Sequence, residues 1–215
     1  MIKESSFKPQ IFKKNKIGIM GGTFDPIHFA HLFIAQTALD RLELNKIIFI
    51  PTGKPPHKQE RLITDSYNRI DMLNLATKSN PKFEISSIEI NREKTSYTID
   101  TIKELQLYYG KDTDIYFITG TDAFIDIESW KEYKELLSIA KFIVMTRQVL
   151  NSELLDEKIE LFIKEYGANI TKIEIPTLDI SSTDIRRRIR EGNSIKYLLP
   201  ESVEKYILKN RLYID

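Results

Sequence analysis

The sequence predicts an α/β fold in which an open, mostly parallel sheet carries helices on both faces and a helical cap at the C-terminus. Three observations lead there. Short apolar, β-branched runs alternate with longer stretches of helical period, the pattern of a parallel sheet covered on both sides. From residue 182 onward two helical stretches follow one another with no strand between them, which reads as a cap. A length of 215 residues, 41% of them hydrophobic and 29% charged, suffices for one domain with a large core and not for two substantial ones.

Taken in order, the strands are expected at Lys16–Met20, Lys46–Ile50, Lys82–Ile90 with a break at Ser86-Ser87, Asp114–Thr119, Lys141–Thr146 and Ile170–Ile175. Between them, His28–Leu42 places Leu32, Ala35, Leu39 and Leu42 on one helical face. Asp65–Lys78, Thr98–Tyr109, Trp130–Ile139 and Ser152–Tyr166 show similar stripes, and Ser182–Glu191 and Pro200–Asn210 form the cap. Residues 1–15 are polar and interrupted by Pro9, and are read as a flexible extension ahead of a single domain spanning 16–215.

Bulk chemistry narrows the function. Lys plus Arg number 32 against 31 Asp plus Glu, so there is no global field to hold nucleic acid or an anionic membrane, and any anion must be bound locally. The absence of cysteine removes disulfides, thiolate metal sites and a thiol nucleophile, and suits a reducing compartment. With no apolar run near the N-terminus, the expectation is a cytoplasmic protein. Oligomeric state is left open, a homo-oligomer included.

The most informative segment follows the first strand: Gly21-Gly22-Thr23-Phe24-Asp25-Pro26-Ile27-His28-Phe29-Ala30-His31. In an open parallel sheet, ligands sit at the carboxyl ends of strands. Two glycines allow backbone to approach a phosphate, and Asp25-Pro26 has the chemistry of an N-cap and first helical position. His28 and His31 would then share a face of the first turn, where imidazoles can donate hydrogen bonds to phosphate oxygens. A plain turn, surface histidines or a metal pair remain alternatives, although a metal would want a third ligand, which Asp25 could supply, and no other His or Cys lies nearby. A second loop, Pro51-Thr52-Gly53-Lys54-Pro55-Pro56-His57-Lys58, holds the third and last histidine and presents Lys54, His57 and Lys58 on a proline-stiffened backbone. Thr95–Thr101 reads as a capping segment. Ile180-Ser181-Ser182-Thr183-Asp184-Ile185-Arg186 opens a helix with arginines expected in its first turn, opposing the dipole unless an anion bridges them.

These motifs resemble, in order, those of bacterial nicotinate-nucleotide adenylyltransferases, which have a Rossmann-like fold and belong to the nucleotidylyltransferases with an H-x-G-H signature. Here that signature is His28-Phe29-Ala30-His31, with alanine where the family has glycine, a change expected to be tolerated. The resemblance implies transfer of the adenylyl group of ATP to nicotinate mononucleotide, with Mg²⁺ carried by the ATP and no protein metal site. It implies His28, His31 and Arg186 as catalytic, and Gly21, Gly22, Thr23, Phe24, His28, His31, Gly120, Asp122, Ser182 and Arg186 as the ATP site. For the acceptor it implies Lys54, His57 and Lys58 on the phosphate, Thr98 on the nicotinate carboxylate, and Trp130, the one tryptophan, against the pyridine. Lys131 stands where the family usually has tyrosine. The rival readings are an adenylyltransferase for nicotinamide mononucleotide or phosphopantetheine, and a nucleotide-binding regulator without turnover.

Overall fold

In a computed structural model describing residues 14–53, 63–147 and 152–214, six strands form one sheet in the order β3-β2-β1-β4-β5-β6. The strands are β1 (Asn15–Gly22), β2 (Lys46–Pro51), β3 (Phe83–Ile85), β4 (Thr113–Gly120), β5 (Lys141–Arg147) and β6 (Asn169–Ile175), and every neighbouring pair is parallel. The chain winds outward from β1 through β2 to β3, then returns and winds the other way from β4. A crevice therefore opens between β1 and β4, above the carboxyl ends of the strands.

The four inner strands carry buried runs because alternate residues feed two cores. Gly18 apart, β1 shows the split: Ile17 and Ile19 join one cluster, Met20 the other. The face of Met20 is covered by α1 (Phe29–Arg41), α2 (Ser66–Thr77), α7 (Ser182–Arg190) and α8 (Glu201–Lys209) through Ala35, Leu39, Met72, Leu73, Ile185 and Ile207. The opposite face takes α3 (Thr98–Tyr109), α4 (Thr121–Ile125), α5 (Tyr133–Ile139) and α6 (Ser152–Tyr166). The C-terminal cap is thus one side of the sandwich. The Tyr206 hydroxyl of α8 donates to Asn68 at 2.8 Å and Asp71 at 2.9 Å on α2. Among the described residues, no helix is long and apolar enough to cross a membrane.

Several local expectations give way to tertiary context. The run expected as a strand over Lys82–Ile90 is ladder only at Phe83–Ile85. At Ser87 the chain turns instead, with the Asn91 amide donating to the Ser87 carbonyl at 2.9 Å and the Asn91 side chain to the Ser87 hydroxyl at 3.0 Å. The helix expected from Trp130 starts at Tyr133, because Trp130 is extended and Glu132 sits in the left-handed region at φ 53°. The five-residue α4 and the 3₁₀ turn at Ile127–Ser129 were too short to leave a periodic signal. Tyr97, without a side-chain capping bond, precedes α3 where a Ser or Thr cap was expected.

Candidate active site

Gly22 pairs with Pro51 at the top of the sheet, so the loops after β1 and β2 leave side by side. The first loop departs from its expected geometry. Asp25-Pro26, joined by a cis peptide bond, does not start α1; His28 is the N-cap and Phe29 the first helical residue. The Asp25 carboxylate is instead buried, accepting from the Tyr213 hydroxyl at 2.7 Å and the Thr64 amide at 3.3 Å. Ala30 lies in the first turn of α1 with ordinary helical backbone, so the position makes no demand for glycine.

The helix start brings the two histidines together. Their rings stack with centroids 3.7 Å apart and planes inclined by 25°. The His31 Nδ1 accepts from the backbone N–H of His28 at 3.3 Å, which leaves Nε2 as the protonated nitrogen of the neutral ring. Phe24, at φ 50°, closes the other side, its ring centroid 5.1 Å from that of His31 in an edge-to-face arrangement. The buried His28 Nδ1 has no hydrogen-bond partner among the described residues. Such an atom is costly unless something comes to meet it. Burial pulls the His28 pKa down to about 4, and burial followed by the His28 charge pulls His31 well below the ordinary range. At neutral pH both rings are neutral, each with one N–H to give.

This has a stability consequence. A histidine that titrates near 6.5 when unfolded and near 4 when folded takes its proton first in the unfolded chain. Its contribution is complete above about pH 6.5 and is lost as pH falls toward 4. A thermal-melt series from pH 7.5 to 4.5 should therefore show a falling Tm, with a shallower fall in His28→Gln. Equal slopes in both proteins would overturn the burial account.

Around the pair, the sequence candidates distribute as follows. Ser182 and Arg186 reach the first loop: the Ser182 hydroxyl donates to the Pro26 carbonyl at 2.8 Å, and Arg186 Nη1 to the Asp25 carbonyl at 2.6 Å. The expected conflict with the helix dipole is absent. Ser181 caps α7 by accepting from the Asp184 amide, and Arg187, Arg188 and Arg190 lie in the last turn, where positive charge is favourable. Arg187 is ion-paired to Asp184 and Glu191, and Arg188 to Asp184, whereas Arg186, one turn from the cap, has no ion pair among the described residues. Gly120 and Asp122 sit exposed at the end of β4 and the start of α4, across the crevice from Gly21 and Gly22.

Of the residues expected to take the acceptor, Thr98 is the first residue of α3, half-buried. Trp130, also half-buried, meets the Phe117 ring edge-on at 5.8 Å. Lys131 ties the two together, with its ammonium 3.4 Å from Asp100 and 4.6 Å from the Tyr97 ring centre. Lys54, His57 and Lys58 lie outside the described residues. Among the described residues, no three His, Cys, Asp or Glu side chains cluster to hold a metal ion.

Three residues of this region went unread in the sequence. Arg69 is 3% exposed and gives its donors to three carbonyls: Nη1 to Thr23 at 3.0 Å and Thr52 at 2.9 Å, and Nε to Thr64 at 3.0 Å. A charge on the stripe of Met72, Leu73 and Ala76 was its signal. Glu89, its carboxyl pushed up by burial, accepts from Thr101 at 2.8 Å and from the Gly53 amide. Gly53 is obligatory there, since a Cβ would stand 2.1 Å from the Glu89 carbonyl oxygen. Tyr213 left no local signal.

Comparison with known proteins agrees with this geometry. The cytidylyltransferase-like family model matches residues 19–188. The probable nicotinate-nucleotide adenylyltransferase of Thermoanaerobacter sp. (strain X514) is 52% identical, over 92% of this chain and 94% of that protein. The protein of the same name from Moorella thermoacetica is 47% identical, over 94% of each. Among solved structures, nicotinic acid mononucleotide adenylyltransferase of Plasmodium falciparum in complex with NaAD superposes with a TM-score of 0.77 at 24% identity, over 93% of this chain and 97% of that one. The chain belongs to the cytidylyltransferase-like family, and within it to the nicotinate-nucleotide adenylyltransferases.

Proposed function

We propose that this protein transfers the adenylyl group of ATP to nicotinate mononucleotide, giving nicotinate adenine dinucleotide and pyrophosphate, in the cytoplasm as a step of NAD biosynthesis. The observation that carries the reading is the stacked His28–His31 pair at the switch point of the sheet, with a buried nitrogen that has no hydrogen-bond partner among the described residues. An oxygen of the mononucleotide phosphate attacks the α-phosphorus in line, and the bond from that phosphorus to the bridging oxygen of pyrophosphate breaks. No protein nucleophile is required, so the chain's work is positioning and charge stabilisation. The histidine N–H groups meet the oxygens on which charge grows, and the incoming triphosphate restores part of the proton affinity that burial removed. Gly21, Gly22, Thr23, Phe24, Gly120 and Asp122 shape the nucleotide crevice, and Ser182 and Arg186 receive the departing phosphates. Lys54, His57, Lys58, Thr98 and Trp130 take the acceptor. Mg²⁺ carried with ATP would lower the charge on the phosphate oxygens, and among the described residues no cluster of three His, Cys, Asp or Glu side chains stands ready to hold it independently.

A pyrophosphate-release assay with ATP and, in turn, nicotinate mononucleotide, nicotinamide mononucleotide and phosphopantetheine tests the reading. Release is expected chiefly with the first, and none with any acceptor would sink it. Arg186 and its neighbours offer a second check. Arg187 and Arg188 are already neutralised by carboxylates, and successive helical residues point about 100° apart. Arg186→Ala should weaken ATP binding and turnover, while Arg188→Ala should leave both near wild type. A larger loss in Arg188→Ala would reverse the assignment.

A further inference from the structure

The bonds that hold the first loop come from far away in the chain. Arg69 grips the Thr23 carbonyl, the Thr64 amide and Tyr213 hydroxyl take the two Asp25 oxygens, and Arg186 and Ser182 take the Asp25 and Pro26 carbonyls. Asp25 is 4% exposed and Arg69 3%, so neither has bulk water to fall back on. A buried carboxylate deprived of a donor must turn or draw in water, and a buried guanidinium that loses a carbonyl must do likewise. Asp25 stands three residues ahead of His28, with fully buried Ile27 between them. A shift of its carboxylate is therefore transmitted to the histidine pair.

We propose that Tyr213 and Arg69 are positioning residues of the active site, acting through Asp25 and the Thr23 carbonyl to hold His28 and His31 in their reactive arrangement. The C-terminal tail then belongs to the catalytic architecture: Tyr213 touches no reacting atom but fixes the carboxylate that fixes the loop. Arg69 acts from α2 on the Thr23 carbonyl, and the two N–H groups of its Nη1 tie the first loop to the root of the second at Thr52. Lysine could not replace it, because a single ammonium cannot reach three carbonyls in the planes that the guanidinium fork satisfies.

The proposal rests on the catalytic reading of the histidines, and the test separates the two. kcat and KM for ATP are measured for Tyr213→Phe and Arg69→Lys, each alone and combined with His31→Ala, well below the Tm of every variant. Tyr213→Phe removes one hydroxyl and keeps the ring, so folding is retained. Displacing catalytic groups by a fraction of an ångström should lower kcat by about 5- to 10-fold in Tyr213→Phe and by at least about 10-fold in Arg69→Lys, with KM for ATP changed by less than about 2-fold. In the His31→Ala background the Tyr213→Phe effect should shrink below about 2-fold, since the group being positioned is gone. Impaired His31→Ala with wild-type kcat in Tyr213→Phe overturns the positioning role alone, as does an equal Tyr213→Phe effect in both backgrounds. Wild-type turnover in His31→Ala overturns the histidine reading itself.

Discussion

Replacing His28 or His31 by alanine is expected to lower kcat by on the order of 10²-fold or more, with ATP affinity changed much less. The reason lies in the state of the two rings before substrate arrives. Burial keeps them neutral, and His31 is set in one tautomer by the His28 amide, so each presents a donor with no reorganisation to make during reaction. Donors fixed in advance favour the moment of greatest charge, which is the transition state, more than the ground state. A loss confined to KM with kcat unchanged would mean uniform binding and would reassign the pair to affinity. Steady-state kinetics with saturating mononucleotide distinguish the cases, and wild-type turnover in both variants would remove the histidines from the mechanism.

The second large effect concerns the acceptor. Nicotinate and nicotinamide mononucleotides differ only in carboxylate against carboxamide, so selectivity requires donors aimed at both oxygens. The start of α3 suits this: Tyr97 supplies no side-chain cap, so the first amides of the helix and the Thr98 hydroxyl stand as donors at a positive dipole end. The Trp130 amide already donates to the Ile127 carbonyl at 2.9 Å, which shifts the nearby backbone contribution to Lys131. A carboxamide would turn its own NH₂ toward those donors. An opposed buried polar group costs roughly 1–3 kcal/mol, or about one to two decades in kcat/KM. The acid should be preferred to that extent, less so in Thr98→Val, and Trp130→Ala should weaken both acceptors through lost stacking. Equal kcat/KM for the two mononucleotides would refute the choice of acid and leave adenylyl transfer standing.

Much of the fold was legible because its signals are local. Five of the six strands start and end within two residues of their expected bounds: β1, β2, β4 and β5 are continuous apolar runs buried on both faces, and the edge strand β6 alternates apolar with polar residues. The exception, Lys82–Ile90, is an edge segment where a turn at Ser87 competes with one neighbour's ladder. Helix starts were less legible. Asp25-Pro26 has better capping chemistry than His28, yet Asp25 is occupied by Tyr213 and Thr64, and the helix begins three residues later. Partners from beyond residue 60 outweighed a local preference of about 1 kcal/mol.

By itself the sequence determined the alternation that makes a parallel sheet, and it set all three histidines in the two segments that follow the first two strands. Tertiary structure alone decided the condition of those loops. It stacked His28 on His31 and stripped them of charge, brought Arg69 and Tyr213 under the first loop, and turned Arg187 and Arg188 to carboxylates while leaving Arg186 on the Asp25 carbonyl. The division follows from the forces involved. Periodicity and turn chemistry act between near neighbours in the chain, whereas desolvation and hydrogen-bond satisfaction depend on what covers a group, and the covering segments here lie up to 188 residues away.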